Sequence, residues 1–229
     1  MEQKKQAGIL LVGFGNLSDF AKEAAHRFPD YKISFARSAA EGLKQIGLRR
    51  VLVQPAFLLT GIEYDKIRSE AKAFGDTTAV GHPLLPDNER IEKLADILER
   101  EYCGKTVLFI GHGTSHPAGE IYRKLYLALK KKSLTAFMGV LDGNPKLETA
   151  LSEILHHSVN SILLVPLMMT AGKHVKEEIT GDTEGSWRSL LEQQGIKTSC
   201  VDKGLLAYPP IREMIFASIE QSIYEGINK

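Results

Sequence analysis

An apolar run that ends on Gly-His-Gly constrains this chain more than any other stretch: VLFIGHGTSH, from Val107 to His116. Four apolar residues lead into the glycines, and a helical pattern follows from Pro117. That order predicts a buried parallel strand over 106–110, a tight turn at Gly-His-Gly and a helix behind it. Open α/β sheets bind ligands outside the carboxyl ends of their strands, where such a turn lies. His112 therefore stands where chemistry is usually done. The flanking glycines let the backbone turn sharply and a ligand come close.

The rest of the chain alternates in the same way. Strands are expected at 9–12, 31–35, 50–54 and 78–81, then at 106–110, 134–141, 161–165 and 197–201. Helical patterns fall between them at 18–27, 38–46, 63–74, 87–102, 117–132, 145–157 and 173–194, with a last one at 209–226. Such alternation implies parallel βαβ units with right-handed crossovers. The halves also match in detail. Gly13-Phe14-Gly15 ends the first strand of one and Gly111-His112-Gly113 that of the other, while VLVQPAFLLTG (51–61) parallels LLVPLMMTAG (163–172). The expected fold is α/β, with two similar lobes that are each a four-stranded parallel sheet flanked by helices. Residues 1–102 form the lobe that walls a substrate cleft, and residues 103–229 form the lobe that carries the chemistry. In this overlay Phe14 stands opposite His112 and Glu63 opposite His174, so both histidines belong to the second copy.

Composition excludes several classes. With a net charge of +1 over 229 residues, no overall basic field marks a nucleic-acid partner. The lysines and apolar run of MEQKKQAGILLVGFG are too short for a signal peptide and read as a first strand. No apolar segment approaches the roughly 20 residues that span a membrane, and a cytoplasmic location is expected. Cys103 and Cys200 fit no CxxC or zinc spacing and read as two buried, reduced thiols. Neither glycine corner continues to GxGxxG, and no Walker A lysine loop is present, so no nucleotide is expected.

GHGTSH, GVLDGNP (139–145) and VPLMMTAGKHVKEEITGDTEGSW (165–187) together resemble the anaerobic cobalt chelatases, within the class II chelatase group. In the first half, LLVGFGN and VQPAFLLTGIEYDKI resemble that family's first strand and its QxxxxxxGxEYxKI stretch. The resemblance covers nearly the whole chain. It implies a lyase-class enzyme that inserts Co2+, its substrate metal, into sirohydrochlorin or the less oxidised precorrin-2 in cobalamin biosynthesis. It implies neither ATP nor an organic cofactor. The family's metal ligands fall on His112, Asp142 and His174, the two histidines also being catalytic. Asp142 departs from the family's glutamate and is one methylene shorter. The family's further histidine on the first-half loop is replaced by Phe57.

The residue types suit that chemistry. Co2+ accepts imidazole and carboxylate donors, and a histidine titrating near working pH can take a pyrrole proton. Glu178 and Asp182 follow His174 on one stripe if the segment is helical. They then either relay metal or protons or form a solvated face. Backbone amides of Gly15, Asn16, Gly113, Thr114 and Ser115 at helix N-termini suit the carboxylates of a tetrapyrrole, with Thr60 and Tyr64 as side-chain donors. His116 reads as a support for His112 or a substrate contact. Phe57 and Met168 either flank the macrocycle or fill core, and Trp187 reads as packing. The same residues also allow a chelatase for Fe2+ or Ni2+, or a tetrapyrrole or metal carrier without turnover. A histidine phosphatase is disfavoured by Gly111, where such enzymes place an arginine. Association into a homo-oligomer stays open.

Overall fold

The computed structural model describes residues 6–75 and 77–227. The chain forms two compact units, one running through Pro86 and taking back the chain from Tyr208, the other Asp87–Ala207. The first contains β1 (Ala7–Val12), α1 (Ser18–Arg27), β2 (Lys32–Ala36), α2 (Ala39–Ile46), β3 (Arg50–Pro55), α3 (Ile62–Phe74) and β4 (Thr78–Val80). Its strands are parallel in the order β2-β1-β3-β4. The second contains α4 (Asn88–Tyr102), β5 (Thr106–Gly113), α5 (Glu120–Leu129), β6 (Thr135–Asp142), α6 (Leu147–His156), β7 (Ser161–Leu167), α7 (Trp187–Gln193) and β8 (Lys197–Cys200). Its parallel order, β6-β5-β7-β8, repeats the first. The last helix, α8 (Pro209–Ser222), belongs to the first unit.

The division differs from the expected 1–102 and 103–229, because two helices change sides. α4 packs on α5 and is tied to the chain beyond it, where Ser133 N–H donates to Glu99 at 2.6 Å. α8 returns to the first unit and stacks Phe216 on Phe20, ring centroids 5.2 Å apart. An apolar helix stripe goes to the sheet face that buries it, and chain order alone does not say which face that is.

The internal repeat holds at the level of register. Val12 pairs with Pro55 in one sheet and Ile110 with Pro166 in the other, so Phe14 and His112 occupy matched places. Gly15 and Gly113 both have φ +81°, a conformation open to glycine and costly for other residues.

Four further expectations change. β5 continues through Gly-His-Gly, and Gly113 pairs with Asp142 at the end of β6. His112 is therefore a strand residue and not a turn residue. The helix expected over 117–132 divides into a 3-10 turn, Pro117–Gly119, and α5. The helix expected over 173–194 is a π-turn, Val175–Ile179, followed by a bend and then α7. Of the two thiols read as buried, Cys103 is exposed and Cys200 partly buried, and neither is in a disulfide. Among the described residues no helix is long and apolar enough to cross a membrane.

One face of the second sheet carries Leu108, Ile110, Phe137, Ile162 and Leu164, packed with Val175, Ile179, Trp187 and Leu191. Trp187 lies across Gly139, where an added Cβ would sit 2.3 Å from the indole Cη2. Packing is its role. Gly139→Ala should therefore lower the unfolding free energy by about 1–3 kcal/mol, as overpacked cores do. Urea unfolding measures it, and an unchanged midpoint would refute the contact.

Candidate metal centre

His112 projects from the penultimate position of β5, and His174 from the start of the π-turn that follows β7. Their rings meet edge to face with centroids 4.8 Å apart, and both residues are exposed. Side-chain alternation puts His112 on the face of Leu108 and Ile110. The π-turn is anchored on that face by Val175 and Ile179, both fully buried. The spacing that turns those two inward turns His174 and Glu178 outward together, and His174 Nδ1 meets Glu178 Oε1. Thr180 Oγ and Thr183 Oγ donate to carbonyls of the turn, Val175 O at 3.0 Å and Glu177 O at 3.2 Å. Val175 O also accepts the Thr180 N–H at 2.9 Å, so Thr180 closes the turn with both groups.

The strand end that carries His112 is held from the opposite face. Tyr122 of α5 lies across Gly111, and Gly113 N–H donates to the Tyr122 hydroxyl at 3.3 Å. Burial pushes the Tyr122 phenol up from its usual range, and the backbone bonds at Gly113 and His112 partly offset that. Asp142 does not join the histidines. It pairs with Gly113, so it shares the parity of Val140 and falls on the face away from His112. Among the described residues no three His, Cys, Asp or Glu groups are gathered to hold a metal. Of the expected trio, His112 and His174 lie against each other, with Glu178 meeting His174.

The family model for cobalt chelatase (CbiK) matches residues 18–224. This chain belongs to that family. It is 27% identical over 239 residues to the sirohydrochlorin cobaltochelatase CbiKC of Nitratidesulfovibrio vulgaris, covering 88% of this chain and 85% of that one. It is 27% identical over 198 residues to the sirohydrochlorin cobaltochelatase of Salmonella typhimurium, covering 83% and 75%. Its fold is that of CbiX, the terminal enzyme of siroheme biosynthesis in denitrifying bacteria, with a TM-score of 0.63 at 18% identity over 95% and 99% of the two chains.

The other expected residues of this family member are variously placed. Asp182 leaves the stripe, because the π-turn ends before it, and pairs with Arg188 at 2.8 Å. His116 caps the 3-10 turn, its Nδ1 accepting from Ala118 N–H at 3.1 Å, and its own N–H donates to Thr114 Oγ1 at 3.1 Å. The Gly113 amide is taken by Tyr122, so it does not serve an anion. Ser115 is exposed beside the corner, and Met168 is partly buried against the core that underlies the π-turn. In the first unit Asn16 Oδ1 accepts from Ser18 N–H at 2.9 Å, which starts α1, and Gly15 is exposed. Phe57 is half-buried, its ring 5.4 Å from that of the exposed Phe14, and Thr60 is partly buried.

One residue beside the site is not singled out by the sequence pattern: Tyr122, inside the helix expected over 117–132. A buried tyrosine hydroxyl needs a partner, and that need was the available signal. Tyr122→Phe strips the Gly113 amide of its acceptor and should cost about 1 kcal/mol of stability. Chemical denaturation measures this, and an unchanged unfolding free energy would mean the bond does not hold the corner.

Proposed function

We propose that this protein is a cytoplasmic sirohydrochlorin cobaltochelatase, exchanging the two inner pyrrole protons of the macrocycle for Co2+ without a nucleotide. The observation that carries this reading is the His112–His174 pair at the carboxyl edge of one parallel sheet, in a chain of the cobalt chelatase family. Imidazole nitrogens suit Co2+. Two such donors hold the incoming ion while leaving positions for water and, in turn, for pyrrole nitrogens. A fuller protein cage would retain the metal.

The ion bonds to all four ring nitrogens, and the two of them that carry N–H give up their protons, so one Co2+ enters as two protons leave. The exposure of both rings lets protons pass from imidazole to solvent. Whichever imidazole is released by the metal as it transfers can accept one of them. Thr114 and Ser115 beside the corner, together with Met168, border the place where the macrocycle would rest.

The test is anaerobic absorbance of sirohydrochlorin with Co2+, in the presence of catalytic amounts of protein. Metallation should accelerate, and His112→Ala or His174→Ala should each reduce the rate by about 100-fold or more. Folded variants that work at the parental rate would sink the assignment of ligands. A spectral change that saturates at one equivalent without a rate gain would identify a carrier instead. Repeating the assay with Fe2+ and Ni2+ ranks the metals.

A further inference from the structure

We infer that Glu178 is the positioning residue that fixes the tautomer and ring orientation of His174, so that its Nε2 is the nitrogen offered to metal. The inference rests on the reading of His174 as a ligand and adds which atom does the binding and what selects it. A carboxylate can only accept a hydrogen bond, so the contact between Glu178 Oε1 and His174 Nδ1 places a proton on Nδ1. In the neutral ring the lone pair then lies on Nε2, the nitrogen pointing away from Glu178. A histidine whose other nitrogen donates to a carboxylate is a stronger and better-aimed donor than a free one.

The backbone makes the pairing a built feature. Val175 and Ile179 are locked into the core one position after each member of the pair, so His174 and Glu178 are both delivered to the outer face. Two pairs among the neighbouring charges form without them. Lys173 pairs with Glu177 at 3.6 Å, and Asp182 pairs with Arg188. π-Turns of this kind recur at functional sites, and in this one the Glu178 carboxylate meets the His174 ring.

The test uses the whole protein labelled with 15N-histidine, and Co2+ alone as the probe. Long-range proton–nitrogen correlation should show His174 with a protonated Nδ1 and an unprotonated Nε2. In Glu178→Ala the Nδ1-protonated form should lose its dominance, and Co2+ affinity, read from the visible absorbance of bound Co2+, should fall about 10–100-fold. The KM for sirohydrochlorin should stay unchanged. Glu178→Gln keeps an acceptor oxygen and should retain the tautomer and most of the affinity. An unaltered nitrogen pattern in Glu178→Ala, or unaltered Co2+ affinity, would overturn the inference. So would two protonated nitrogens in the parent at the assay pH. His174→Ala separates the two levels. If it also binds Co2+ as the parent does, the ligand reading falls. If it loses binding while Glu178→Ala does not, only the role of Glu178 falls.

Discussion

The alternation of side chains along β5 and β6 decides which groups in the second unit can meet. Leu108, Ile110 and His112 share one face, and Gly113 with its partner Asp142 has the opposite parity. That rule brings His112 to the π-turn and keeps Asp142 from it, although the two lie at the ends of neighbouring strands. It also leaves Gly111 bare on the second face, and the Tyr122 ring fills that space. A one-residue shift of the β5–β6 ladder would exchange these roles. Tyr122 opposes such a slip by bonding the last amide of the strand.

The two units show one scaffold carrying different end groups. Both sheets have the same strand order, the same register at the proline of the third strand, and a glycine at φ +81° at matched places, Gly15 beyond the end of β1 and Gly113 at the end of β5. Between those shared constraints the residue at the strand end is free to vary. In the first unit it is Phe14, paired with Phe57. In the second it is His112, paired with His174. The apolar pair can stack on a flat ring but offers no lone pair to a metal, whereas the imidazole pair offers both. Duplication thus preserved the geometry and let the chemistry settle in one copy.

Most of this was legible in the chain because strand and helix periods are local signals. Each of the eight strands lies within a few residues of its expected place, and the repeat pointed to the matched corners. What could not be read depends on partners distant in sequence. The continuation of β5 through Gly113 needs β6 alongside it, and the sides taken by α4 and α8 depend on which sheet face is uncovered. The family motif indicates Asp142 by its position along the chain. Position along the chain does not carry the face on which a strand's last side chain emerges.

The π-turn was the least legible segment, and the reason is energetic. Residues 173–194 carry a helix-like apolar spacing, so a regular helix would bury Val175 and Ile179 equally well. The choice against it is made by polar groups that a periodicity argument treats as filler. Thr180 and Thr183 bond carbonyls inside the turn, and Ser186 Oγ accepts from Ser189 N–H at 3.0 Å, opening α7 as its N-cap. Each such bond is worth only about 1 kcal/mol net, yet together they favour a wide turn followed by a separate helix over one continuous helix. The consequence reaches the site. A continuous helix would carry Asp182 onto the His174 stripe and set two carboxylates in line with the ring. The interrupted one leaves Glu178 alone behind His174 and commits Asp182 to Arg188. His174 thus keeps one carboxylate partner, and its other ring nitrogen faces away from it.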